Sequence, residues 1–243
     1  MGILLWIIIF IASVATLVLA ANYFITLATK LGLIFGISPF VIGITIVALG
    51  TSIPELVTAF VAIGQGTTEF IAGTVIGSNI ANILLVIGLA TIIAKKITSK
   101  WDMIRVDIPV LCATTALLVF SILDGKIVFM ESLLLIVGYG IYVWYFATIH
   151  DPEDVVEARP SHSVMLYVGL LICVVSIYLG AEFAVRSVEA ITILLELPDT
   201  SFISATAFAL GTSLPEMVVS LTAIKQNNIT MAFGNIMGSN IFN

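Results

Sequence analysis

Apolar residues in this chain come in long runs, separated by short clusters of charged and turn-forming residues. A membrane-crossing helix needs roughly 20 predominantly apolar residues, and the runs lack the strict alternation of barrel strands. The pattern predicts helical spans. The first covers about 3–28 and ends at Lys30, the second 39–64, and the third 70–94, stopping at the basic connection Lys95 to Arg105. A fourth over 106–123 meets Asp124-Gly125-Lys126, a turn signal, and a fifth covers 127–149. After the polar stretch His150 to Ser163, a sixth begins near Val164 and continues as a more amphipathic helix through Glu182, Arg186 and Glu189 to Leu195, before Leu197-Pro198-Asp199 ends it. A seventh occupies 200–224, and an eighth starts near Met231. A stop at Asn243 would leave a stub in the bilayer, so a longer parent sequence with two further spans is expected.

Two of these runs carry almost the same polar interruption. Ala48-Leu-Gly-Thr-Ser-Ile-Pro-Glu55 returns as Ala209-Leu-Gly-Thr-Ser-Leu-Pro-Glu216. Aligning 43–82 with 204–243, a constant shift of 161, gives 18 identities in 40 positions without a gap, concentrated on Gly, Thr, Ser, Pro, Glu and Asn. Upstream, Ala20-Ala21-Asn22 faces Gly180-Ala181-Glu182 at a shift of 160. The repeat unit therefore holds five spans, an odd number, and the second copy must enter the membrane from the opposite side. This divides the chain into a first repeat, 1–149, a short linker, 150–163, and an incomplete second repeat, 164–243. The expected fold class is an all-α polytopic membrane protein of inverted five-helix repeats.

Composition agrees: 60% of the 243 residues are hydrophobic and 10% charged, with mean hydropathy +1.20, outside the range of a soluble domain. The net charge of −6 names no partner, because Asp151, Glu153, Asp154, Glu157 and Asp199 sit in two connections, and no basic nucleic-acid footprint exists. Basic residues do bear on orientation. Lys30, the cluster Lys95, Lys96, Lys100 and Arg105, then Arg159 and Lys225 fall in the odd-numbered connections, against Lys126 and Arg186 opposite. The positive-inside rule then puts the N-terminus outside and the 150–163 linker in the cytoplasm. The first run lacks the basic start and cleavage site of a signal peptide. Trp6 stands where a myristoylation motif wants Ser or Thr. Cys112 and Cys173 lie in separate spans and read as small packing residues.

A glutamate inside a span is costly, on the order of 2.5 to 3.5 kcal/mol when ionised. Two of them at equivalent positions, Glu55 and Glu216, point to function, the plainer reading being a carboxyl that is hydrogen-bonded or kept protonated. Pro54 and Pro215 have no N–H, so the carbonyls of Gly50 and Gly211 lose their helical donors. Proline alone suggests a packing kink; the adjacent Thr, Ser and Glu favour an opened helix whose carbonyls face a cavity. Gly73-x-x-x-Gly77 and Gly234-x-x-x-Gly238 provide small faces for close helix approach. Ser78, Asn79 and Asn82, with Ser239, Asn240 and Asn243, are the polar candidates beside them. All these donors are oxygens, which suits hard cations such as Ca2+ and Na+ rather than zinc or copper. His150 and His162 fall in the linker and read as solvated.

Gly50-Thr-Ser-x-Pro-Glu55 with Gly77-Ser-Asn-x-x-Asn82, repeated as Gly211-Thr-Ser-x-Pro-Glu216 with Gly238-Ser-Asn-x-x-Asn243, resembles the paired alpha repeats of the calcium/cation antiporter superfamily, close to the prokaryotic sodium/calcium exchangers. The resemblance implies ten helices in two inverted halves and four ion sites clustered between spans two, three, seven and eight. By position it implies that Glu55 and Glu216 bind Ca2+ and share in Na+ binding. It further implies carbonyls from Thr51, Thr212, Ala48 and Ala209, hydroxyls from Ser52, Ser213, Ser78 and Ser239, and polar contacts from Asn82 and Asn243. Some relatives carry an aspartate where Asn243 stands, so this chain has one carboxylate fewer. The linker is too short for the regulatory calcium-binding domains of animal exchangers.

The expected activity is Ca2+/Na+ antiport by alternating access, with spans one and six sliding by family resemblance. Proton-coupled or K+-dependent exchange is the alternative, since a desolvated glutamate can carry a proton. An intramembrane enzyme is a distant third, because no His or Lys within a span would activate Ser52 or Ser213. No resident cofactor, nucleic acid or obligate protein partner is expected; Ca2+, Na+ and the bilayer are the partners.

Overall fold

The computed structural model describes residues 2–66, 69–94, 107–149, 163–195 and 211–243. Among these the chain is helical, without strands. α1 (Ile3–Phe35) is followed by α2 (Pro39–Thr51) and α3 (Ile53–Gln65), which meet at a 44° bend. α4 covers 69–94, α5 Asp107–Ile122 and α6 Phe129–Ile149. α7 (Val164–Leu194), α8 (Leu214–Lys225) and α9 (Ile229–Phe242) complete the described set. Four of the described helices are long and apolar enough to cross a membrane, or five counting the bent α2–α3 pair as one.

Local chemistry accounts for the joints. α1 runs past Lys30 to Phe35 and ends at Gly36, whose φ of 66° is the left-handed conformation glycine adopts at low cost. Ser38 then caps α2, its hydroxyl accepting from the Val41 N–H at 3.3 Å, with Pro39 in the first turn where its missing N–H does no harm. Asp124-Gly125-Lys126 makes the expected turn: Gly125 has φ 76° and the Lys126 N–H donates to Asp124 Oδ1 at 3.1 Å. Ser163 caps α7 through the Met165 N–H.

Two features are sharper than the hydropathy pattern. The second span breaks at Ser52, two residues before Pro54, within the turn where the Gly-Thr-Ser-x-Pro pattern favours an opened helix, and it forms two bent segments. The Ala48 carbonyl still receives the Ser52 N–H at 3.0 Å, and the helix restarts with Pro54 in its first turn. A π-turn also widens α2 at Gly43–Val47, and another widens α4 at Asn82–Val86. Such turns are rare and cluster at functional sites, and nothing in the residue pattern announced them.

The core has two parts. α1 and α7 pack along their length, with Leu17, Ala21, Phe24 and Ala28 against Leu170, Cys173, Ile177 and Ala181, and Val219, Ala223 and Met231 behind them. Small residues permit the approach: a Cβ on Gly180 would lie 3.1 Å from the Ser13 carbonyl. The second part joins Phe40, Val41 and Ile44 of α2 to Tyr142 and Phe146 of α6. α2 also crosses α9 with the backbones nearly touching, at Gly43 against Gly234. Gly234 and Gly238 thus do what their spacing predicts, whereas Gly73 and Gly77 meet nothing within 4 Å among the described residues. Cys173 packs in the core, but Cys112 is exposed on α5, a correction to its reading as a packing residue. Leu84, Ile92, Phe129, Trp144, Val164 and Leu171 are among the large apolar side chains on the outside. An aqueous surface would not tolerate so many, and lipid does.

The connections 95–106 and 150–162, residues 196–210 and with them Ala209, lie outside the described residues. The basic clusters used for orientation fall largely there.

Candidate cation site

Around the break at Ser52 three motif side chains, Thr51, Ser52 and Glu55, are buried. Thr51 and Ser52 are fully buried, Glu55 is 7% exposed in the first turn of α3, and Glu216 of α8 is 0% exposed. Ser52 Oγ donates to Glu216 Oε1 at 2.9 Å, linking two residues 164 apart in sequence. The two motifs therefore meet in one place.

The surrounding hydrogen bonds pair in a specific way. Thr51 Oγ1 lies 3.4 Å from Ser239 Oγ, and Ser78 Oγ lies 3.3 Å from Thr212 Oγ1. Shifting Thr51 and Ser78 by 161 gives Thr212 and Ser239, so the two contacts exchange roles between the repeats. A two-fold relation between the halves produces this exchange. Asn79 Nδ2 donates to the Asn240 carbonyl at 3.1 Å, a pair exactly one repeat apart.

Many oxygens in the cluster have no partner among the described residues. They include both carboxylate oxygens of Glu55, Glu216 Oε2, Ser213 Oγ, and the side-chain amides of Asn82, Asn240 and Asn243. A buried oxygen without a donor costs about 1 to 3 kcal/mol, more when charged. A bare cation of the right size removes that cost for several oxygens at once. The donor set suits such an ion: carboxylates, hydroxyls and amide oxygens, with no imidazole or thiolate among the residues named. The Ala48 carbonyl accepts from Ser52 N–H and lies 3.2 Å from Thr51 Oγ1, whose one hydrogen is shared between this carbonyl and Asn235 Oδ1, so an ion there would compete with the threonine hydroxyl.

The residue pattern missed Asn235. It is fully buried in α9; its Oδ1 accepts from Thr51 Oγ1 at 3.2 Å, and its Nδ2 donates to Ser220 Oγ at 2.9 Å and to the Glu216 carbonyl at 3.4 Å. Its counterpart in the first repeat is Thr74. The available signal was an asparagine inside an apolar span at a position where the repeat does not match.

A lipid-facing helical bundle that gathers acidic and neutral oxygens from two repeated motifs into its interior is a polytopic membrane transport protein. Sequence comparison gives the family. The sequence model of the sodium/calcium exchanger protein family matches residues 5–148 and 165–243, and the chain belongs to that family. The sodium/calcium exchanger MaX1 of Methanosarcina acetivorans is 29% identical over 278 residues, covering 93% of this chain and 77% of that protein. Membrane protein MJ0091 of Methanocaldococcus jannaschii is 33% identical over 236 residues, covering 96% and 76%. A solved structure of the sodium-calcium exchanger NCX_Mj, soaked with Na+ and Ca2+, superposes with a TM-score of 0.82 at 32% identity, covering 98% of this chain and 78% of that one.

Proposed function

We propose that this protein exchanges Ca2+ for Na+ across a membrane, with both ions using the oxygen cluster around Glu55 and Glu216 in alternation. The observation that carries this is the pair of buried carboxylates with three of their four oxygens unpartnered among the described residues. Two carboxylates balance one divalent cation, and the same oxygens can be divided among monovalent ions. Occupation by one substrate then excludes the other. Membership of the exchanger family and the names of MaX1 and NCX_Mj support the choice of ions.

The roles are those the family resemblance implies by position. Glu55 and Glu216 supply the charge; Ser52, Ser213, Ser78 and Ser239 supply hydroxyls; Thr51, Thr212, Ala48 and Ala209 supply carbonyls. Asn82 and Asn243 complete the polar shell. With asparagine at 243, the site charge rests on the two glutamates. Alternating access needs the cluster to open to one face at a time, and α1 with α7, packed mainly on each other, form the unit that moves past it. We place the N-terminus outside, by the distribution of basic residues.

The test is uptake of Ca2+ by liposomes containing the purified protein and loaded with Na+. Uptake that depends on the Na+ gradient, and is abolished by Glu55→Gln, is expected. Uptake that persists with choline in place of Na+ under a pH gradient would instead establish proton coupling, and an unchanged rate in Glu55→Gln would remove Glu55 from the site.

A further inference from the structure

The repeats are alike in sequence, yet their surroundings differ. A cavity of about 50 Å3 lies between α3, α7 and residues 211–212; Pro54, Thr58, Tyr178, Glu182, Val185 and Thr212 line it. A second, of about 20 Å3, lies on the other side of α3 against Glu55, and Thr58 lines both. A single water occupies roughly 10 to 15 Å3 on this measure, so the first cavity has room for a few waters. Thr212 at its inner end is the residue hydrogen-bonded to Ser78, inside the cation cluster. At its rim Glu182 is partly exposed and pairs with Arg186 one turn on, at 2.7 Å.

The counterpart region is closed. Shifted by the repeat, Val219 stands for Thr58, Ile25 for Val185 and Asn22 for Glu182. Val219, Ile25 and the neighbouring Phe24 are fully buried, and the Phe24 ring lies against Gly50. Asn22 is tied down by Gln226, whose Nε2 donates to its backbone and side-chain oxygens at 3.1 and 3.2 Å. Within the cluster the asymmetry continues: Ser52 bonds Glu216, while Ser213 Oγ and Glu55 have no partner among the described residues. The Asn22 side is closed by apolar packing; the Glu182 side, although Val185 packs on Gly211, keeps a small cavity with a threonine and a carboxylate in its walls.

We propose that Glu182 is the cation-capture residue at the mouth of the Thr58-lined route, drawing Na+ or Ca2+ toward Thr212 and Glu55, with Arg186 damping its charge. The proposal rests on the cluster being a cation-transport site. A carboxylate at the rim of a low-dielectric cleft raises the local cation concentration. An adjacent guanidinium opposes this, so the i,i+4 pair sets the strength of capture. The asymmetry confines the effect to the face at which α3 and α7 end, the outer one in the orientation proposed above.

Initial rates of Na+-driven Ca2+ transport, measured for Ca2+ presented to each face in turn at low and high ionic strength, test this. At low ionic strength Glu182→Gln should raise KM for Ca2+ about threefold from that face alone, and Arg186→Gln should lower it by a similar factor. The maximal rate stays unchanged in both, and Glu182→Asp keeps the wild-type KM. At high ionic strength, where the screening length falls to about 3 Å, the three KM values should converge. If the pair were only structural, both substitutions would shift KM in the same direction. That result, or unaltered KM at low ionic strength in an active protein, or equal shifts from both faces, overturns the capture role while leaving the transport reading standing. Absence of Na+-driven uptake by the wild type overturns the transport reading, and this proposal with it.

Discussion

The crossing of α2 and α9 at Gly43 should not tolerate a single added methyl group. A Cβ at Gly43 would sit 2.5 Å from the Met231 carbonyl oxygen, 2.9 Å from Gly234 Cα and 3.0 Å from Asn235 N. All three are backbone atoms on α9, which cannot swing aside as the end of a side chain can. Ordinary contact begins near 3.4 Å, so the helices must separate by about 0.9 Å at this point. Thr51, two turns along α2, bonds Asn235 at 3.2 Å and approaches Ser239 at 3.4 Å, and neither contact survives such a displacement. Overpacking of this kind costs about 1 to 3 kcal/mol. For a chain of this size, 2 kcal/mol corresponds to a Tm lower by about 4 to 8 °C. Gly43→Ala is therefore expected to lose several degrees in a thermal-shift assay in detergent and most of its Na+-driven Ca2+ uptake. Gly140→Ala, on α6 with nothing within 4 Å of the added carbon, is the matched control and should change neither. If Gly43→Ala kept wild-type Tm and uptake, the backbone contact would not be what aligns the two halves of the site.

Two further substitutions probe the hydrogen-bonded frame. Ser52→Ala removes a donor to a buried carboxylate, an interaction worth about 1.5 to 3 kcal/mol, so Ca2+ affinity by titration calorimetry should fall roughly 10- to 100-fold; Ser213→Ala, whose hydroxyl has no partner among the described residues, should cost less. Equal losses would mean that the Ser52–Glu216 bond does not shape the site. Asn235→Ala leaves the Thr51 hydroxyl, Ser220 hydroxyl and Glu216 carbonyl without their amide partner, and should lower Tm by several degrees. Asn235→Asp should not restore it, because a carboxylate can accept from Thr51 but cannot donate to the Glu216 carbonyl; full restoration would show that only the Thr51 contact matters.

Along the chain, what can be read from sequence is what one segment settles alone. A span must satisfy its own backbone hydrogen bonds in lipid, so the extents of α5, α6 and α7 follow closely from apolar run length, whereas α1 runs seven residues beyond the expected end at 28, to the Gly36 cap that run length did not mark. The weak point beside Pro54 is equally local, since a missing N–H strands a carbonyl whatever the neighbours are. The duplication announced that Glu55 and Glu216 belong together, and the membership of the exchanger family agrees with the motifs that carried the resemblance. The π-turns at Gly43–Val47 and Asn82–Val86 were not legible, because residues that accept an extra backbone unit look like ordinary helix formers.

Tertiary structure decided who touches whom. Ser52 rather than Ser213 holds a glutamate, Asn235 joins α2 to α8 through α9, Gly43 meets Gly234 backbone to backbone, and the Glu182 side keeps a cavity where the Asn22 side is packed shut. Lipid gives apolar helices no hydrophobic reason to prefer one neighbour over another, so the choice falls to shape and to buried polar partners. Those are properties of two surfaces at once. Sequence by itself pointed to a helical membrane fold and to the paired motifs; the asymmetry between the two related halves exists only once the helices are packed.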